Sequence, residues 1–144
     1  MELTDSQKLL KECDAGTKMA VSSIDDVLDK VCDQNMKKLL MESKNHHEEL
    51  KRELHEMLQK HGAEEKDPNP MAKSMSWIKT NMKLTMDNSD ATIADLLTDG
   101  CHMGVKSLYK YLNQYQAADH ASKEICKKLI TIEEELDHSL RKYL

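Results

Sequence analysis

Apolar positions near the start of the chain recur at alternating steps of three and four residues. The stripe runs Leu10, Cys13, Thr17, Ala20, Ile24, Val27 and Val31. That spacing puts one side chain per turn on a single face, so it predicts an amphipathic helix from about Asp5 to Cys32. Thr4 or Asp5 can cap it, and Gln7 stands where it would close a capping box with Thr4. Midway the stripe shrinks to Thr17 and Ala20, beside Gly16. Small residues there let a neighbouring helix approach, or leave room for larger side chains opposite. Asp33-Gln-Asn35 interrupts the pattern. A second stripe then follows: Met36, Leu40, Ser43, His47, Leu50, Leu54, Met57 and His61. It predicts a helix from about Gln34 to His61 with Gly62 as its stop. So short a connection makes the two helices antiparallel neighbours.

The polar run Glu64-Glu-Lys-Asp-Pro-Asn-Pro70 is the clearest loop, because two prolines end one helix and can start another. A shorter helix is expected from about Met71 to Met86. Met71, Met75, Ile78 and Met82 form one stripe on it, with Trp77 and Leu84 off that stripe. Asp87-Asn-Ser-Asp90 reads as a turn and cap. The next long helix runs from about Ser89 to Tyr115 with the seam Ala94, Leu97, Cys101, Gly104, Leu108, Tyr111 and Tyr115. The last runs from about Asp119 to Tyr143. Two registers compete there: Cys126, Ile130, Glu133, Asp137, Leu140 and Leu144, or Ile125, Leu129, Ile132 and Leu136. Both are expected to contribute to a broad apolar face.

The pattern repeats itself. Gly16, Met19, Ala20, Val21, Ser23 and Ile24 match Gly100, Met103, Gly104, Val105, Ser107 and Leu108. Lys37-Lys-Leu-Leu40 resembles Lys127-Lys-Leu-Ile130, and Leu50-Lys-Arg-Glu-Leu54 resembles Leu140-Arg-Lys-Tyr-Leu144. The expected fold is therefore all-α: an antiparallel four-helix bundle from a duplicated helical hairpin, with a long crossover carrying a short extra helix. One domain spans 1–144. Its first hairpin covers about 4–61, its crossover about 62–88 and its second hairpin about 89–144.

Composition agrees. The 144 residues include 4 Gly, 2 Pro, 10 Met and no Phe, which leaves little strand potential. A chain of this length buries enough surface to fold without a disulfide or metal. Its net charge of −5 argues against a nucleic-acid partner, which would call for a basic face. No apolar run approaches the roughly 18 residues of a membrane span. The N-terminus is acidic, unlike a signal peptide. Cytoplasmic residence is expected, and Cys13, Cys32, Cys101 and Cys126 are expected as reduced core thiols.

The duplicated hairpin, the long crossover, and the segments Pro70-Met-Ala-Lys-Ser-Met-Ser-Trp77 and Gly100-Cys-His-Met-Gly104 carry a resemblance. The chain resembles the ferritin-like superfamily, most of all small rubrerythrin-related bundles of uncharacterised function. The resemblance implies a bundle core that can hold two metals. In characterised members, two helices each give a Glu and the other two each give Glu-x-x-His.

The residues depart from that set. Glu135-Leu-Asp-His138 is a formal Glu-x-x-His, but it falls off both registers of its helix and reads as a solvated face. His46-His-Glu-Glu49 lacks the leading Glu, so His47 is expected in the core with His46, Glu48 and Glu49 in water. Thr17 and Cys101 stand where the first and third bundle helices should each bring a Glu. Asp14 and Asp99 are the nearest acids. If a metal is held, its ligands should come from His47, Glu133 and Asp137, with His46, Asp14 or Asp99 as adjuncts, the repeat placing Ser43 opposite Glu133 and His47 opposite Asp137. At most one weakly held iron, manganese or zinc ion is expected. The competing expectation is a metal-free cluster in which His47 bonds an acid of the last helix.

No phosphate loop, nucleophile elbow or H-e-x-x-h-type zinc motif is present. The preferred expectation is a non-enzymatic bundle with a degenerate metal site and no cofactor. The alternative is a di-metal oxidase, peroxidase or storage protein. A third reading is a small-ligand binder using the space at Thr17, Ala20 and Gly104. Exposed Trp77 and Leu84 would make a homodimer contact, the alternative being that Trp77 closes its own core edge.

Overall fold

Four side chains fix where the long helices begin. Thr4 accepts the backbone N–H of Gln7 while Gln7 returns a bond to the Thr4 N–H, which completes the capping box at the first helix. Asp33, Ser89 and Asp119 cap the other three by accepting from Met36, Thr92 and Ser122. Each cap satisfies an N–H that no helical carbonyl can reach. The computed structural model describes residues 2–65 and 77–144. It contains helices α1 (Asp5–Leu28), α2 (Gln34–Lys60), α3 (Trp77–Thr85), α4 (Asp90–Gln114) and α5 (His120–Leu140), then a single 3-10 turn over Arg141–Tyr143. There is no strand among the described residues. None of these helices is long and apolar enough to cross a membrane.

Hydrogen bonds between distant residues set the helix directions. At one end, Gln7 donates to the His61 carbonyl at 2.6 Å, and the Ala117 and Asp119 N–H groups donate to Asp5 and Ser6 at 3.0 and 2.8 Å. This gathers the start of α1, the end of α2 and the α4–α5 turn. At the other end, Asp90 accepts from the N–H groups of Cys32 and Asp33 at 2.8 and 2.9 Å. That joins the α1–α2 turn to the start of α4. Hence α1 runs antiparallel to α2 and α4, and α5 antiparallel to α2 and α4. The end of α2 and the start of α4 therefore lie at opposite ends of the molecule.

The same bonds explain where α1 departs from expectation. It stops at Leu28 rather than near Cys32. A helix continued to Cys32 would commit those N–H groups to its own carbonyls; the Asp90 carboxylate takes them instead. Val31 stays buried all the same, but Cys32 is exposed and is not a core thiol. Cys13, Cys101 and Cys126 are buried and unpaired by disulfides, as expected. Gly62 follows α2 at φ +66, the left-handed geometry that ends helices.

Among the described residues, two apolar clusters fill the interior. One joins Ile24, Val27, Met36, Leu40, Ile93, Leu97, Leu136 and Leu140 with Ile78 and Met82 of α3. The other joins Leu9, Leu10, Leu50, Leu54, Leu58, Leu108, Ile125 and Leu129. Leu58 replaces the expected Met57 on the buried face of α2, and α5 uses both of its registers. Met71, Met75 and most of the proline-bearing loop lie outside the described residues. Trp77 is half-buried and packs against the first cluster, its ring lying 3.8 Å from where a Cβ on Gly100 would stand. It closes its own core edge, while Leu84 (77% exposed) and Met86 (92%) face outward.

Candidate functional site

A layer of polar residues separates the two clusters. Midway along, each helix seam gives up its apolar residues: Thr17 on α1, Ser43 and His47 on α2, Gly104 on α4 and Glu133 on α5. His47 and Gly104 both stand against Glu133. Thr17 turns inward and donates to the Cys13 carbonyl at 2.8 Å. His47 is fully buried. Its Nδ1 lies 2.7 Å from the Ser43 carbonyl and its Nε2 lies 2.8 Å from Glu133 Oε1. A carbonyl only accepts, so Nδ1 carries a proton and Nε2 is where a proton is shared with Glu133. Burial pulls the imidazole pKa down. The Glu133 hydrogen bond and charge, with the Ser43 carbonyl, outweigh it and hold the value above the ordinary one.

Cys101 borders this pair. Burial pushes its thiol far up, and the charge and hydrogen bond of Glu133 push it further, so it stays a thiol rather than a thiolate nucleophile. Glu133 lies close against α4 at Gly104: a Cβ there would stand 3.9 Å from Glu133 Oε2, an ordinary contact. The space beside Gly104 is filled by Glu133. The described cavities lie elsewhere. One, of about 480 Å³, is an open groove between α2 and α5 lined by His46, Glu49, Glu53, Lys127, Lys128 and Glu135 among others. The other, of about 160 Å³, is a crevice between α4 and α5 at Cys101, His102, Val105, Glu134 and Asp137.

Of the six residues singled out as ligands, His47 and Glu133 come together. Asp137, expected opposite His47, instead holds His102 Nε2 at 2.9 Å with one oxygen and Arg141 at 2.9 Å with the other. His46 is exposed on the groove, as expected, with Glu49 beside it and Glu135 and His138 solvated on α5. Asp14 and Asp99 do not behave as a matched pair: Asp14 is buried and Asp99 is exposed.

Asp14 instead belongs to a second group between α1 and the end of α2. Lys18 Nζ lies 2.9 Å from Asp14 Oδ2 and 3.1 Å from Glu65 Oε2. His55 Nδ1 lies 3.0 Å from Glu65 Oε1, and its Nε2 lies 3.4 Å from Asp14 Oδ1. Burial lowers the Lys18 pKa, but bonds to the two carboxylates outweigh it and raise the value. Sequence reasoning missed His55 and Glu65. His55 falls off the α2 seam, and Glu65 reaches the group because the chain turns back after Gly62, a geometry that no helical period encodes.

No protein-family model, curated protein or solved structure matches the chain.

Proposed function

We propose that the chain is a ferritin-like four-helix bundle from a duplicated hairpin, whose central metal layer has become a hydrogen-bonded pair. It works without catalysis, through its outer surface. The observation that carries this reading is His47, both of whose ring nitrogens are engaged by the protein, one by the Ser43 carbonyl and one by Glu133. A metal at this layer would have to take Nε2 away from Glu133. The helix directions, with antiparallel neighbours and the end of α2 at the opposite end of the molecule from the start of α4, also support the family plan.

The residues do not fit a pair of irons. Such a centre needs several anionic ligands converging in the core. Midway along its seam α1 offers Thr17, and beside Glu133 α4 offers Cys101, whose thiol is held protonated. Asp137 is engaged by His102 and Arg141. No oxygen-activating step is assigned to this layer.

Metal analysis of protein purified without chelator, followed by oxygen-electrode recording after ferrous iron is added, tests the reading. The expected result is no iron held at the His47 layer and no oxygen uptake above the buffer rate. Two irons per chain with oxygen consumed would restore the di-metal oxidase, peroxidase or storage alternative.

A further inference from the structure

The group at Asp14, His55 and Glu65 lies apart from the His47 layer. One nitrogen and two carboxylate oxygens, each from a different residue, stand within 4.8 Å of one another. The spacing between His55 Nε2 and Asp14 Oδ1, 3.4 Å, is informative. It is too long for a good N–H···O bond, whose usual range is about 2.7–3.2 Å. Nε2 is buried and has no hydrogen-bond partner. The same spacing matches the edge of a tetrahedron around zinc, about 3.3 Å for metal–ligand bonds of roughly 2.0–2.1 Å.

Lys18 completes the arrangement. Its ammonium holds Asp14 Oδ2 and Glu65 Oε2, the oxygens turned away from the imidazole. The opposite oxygens, Asp14 Oδ1 and Glu65 Oε1, are the ones turned toward His55. A cation that orients the outer oxygens of ligating carboxylates is the kind of supporting shell that metal sites use. The ligands also differ in how firmly they are held. Asp14 is fully buried on α1, His55 is partly exposed on α2, and Glu65 stands at the solvent edge. This gives a fixed inner ligand and an entry side.

We propose that Asp14, His55 and Glu65 form a site for one borderline divalent cation, zinc above all. Asp14 Oδ1 and His55 Nε2 are the inner ligands. Glu65 Oε1 exchanges its contact with His55 Nδ1 for the ion, and the fourth position is left to water. Lys18 stays in place on the outer oxygens. An imidazole with two carboxylates prefers zinc to magnesium or calcium, which take all-oxygen sets.

The test is calorimetric titration of Zn²⁺ alone into the full chain after chelator stripping. The expected result is one ion per chain. His55→Gln and Glu65→Gln should each weaken binding by about tenfold or more, while their circular dichroism stays that of the natural chain. His46→Ala, an exposed histidine on the groove, should leave the affinity unchanged. No zinc uptake by the natural chain overturns the proposal. So does uptake that survives both His55→Gln and Glu65→Gln, or that is lost in His46→Ala. Oxygen consumption at the His47 layer is a separate measurement, so either reading can fail alone.

Discussion

His47 and Glu133 share a proton inside the protein, and that arrangement sets the cost of disturbing either one. Replacing His47 by Ala leaves Glu133 as an uncompensated, nearly buried charge, which should cost about 3–5 kcal/mol in urea unfolding. Replacing both, as His47→Leu with Glu133→Met, removes the charge along with its partner and should cost less than either single change. Losses that simply add would mean the pair is not self-contained. The pH dependence follows from the raised imidazole pKa. Because the folded value lies above the unfolded value of about 6.5, the contribution is complete below that pH and is lost as pH rises through the folded value. Stability of the natural chain should therefore decline as pH rises above about 6.5, by a step that the double variant lacks. The sequence placed His47 in the core and raised the outcome of a bond to an acid of α5. It named Asp137 as the residue opposite, one turn from the acid that His47 meets. Periodicity says which face of a helix is buried, but not the height of one helix against another. The two competing registers of α5 left that height open.

At the scale of an element, the start of α5 ties three segments together through Asp119. Its carboxylate accepts from Ser122 and from His61 Nε2, at 2.8 Å each. These bonds, the Ser122 ones first, hold it down at about 2. Asp119→Ala removes the cap and should cost about 1 kcal/mol. The folded value lies below the unfolded value of about 3.9, so this contribution is present above that pH and fades as pH falls toward 2. The acid limb of a stability–pH curve should be shallower in the variant; an unchanged limb would reject the assignment. His61 moves the other way. Asp119 and the Met57 carbonyl raise it, so its share is lost as pH rises. The capping box of Thr4 and Gln7 was legible because it depends on residues three apart. The end of α1 was not, because it depends on Asp90, far along the chain. The glycines at the repeat carry a related lesson. A Cβ on Gly100 would meet Trp77 at 3.8 Å, an ordinary contact, so close helix approach does not require glycine there. Gly100→Ala should stabilise the protein by about 0.5–1 kcal/mol through helix propensity, read as a higher urea midpoint.

Across the whole molecule, apolar clusters lie on either side of one polar layer, and α3 belongs to only one of them. Ile78 and Met82 are buried among Ile24, Leu97, Leu136 and Leu140, so the crossover helix supplies core that the long helices lack. The stripe carrying Ile78 and Met82 was readable from helical spacing. The half-buried place of Trp77, off that stripe, was one of two readings between which spacing could not choose. It comes from α3 fitting between α1 and α4, where Lys79 also reaches Asp26 at 3.3 Å. This placement makes Trp77, the single tryptophan, a reporter of crossover docking. If α3 is part of the common core, unfolding followed by Trp77 fluorescence and by far-ultraviolet circular dichroism should give coincident urea transitions. Ile78→Ala should cost about 2–5 kcal/mol and move both transitions equally, since the cavity opens in a cluster shared by several helices. A fluorescence change at lower urea than the loss of helix would show instead that the crossover undocks by itself, leaving the long helices to stand on their own contacts.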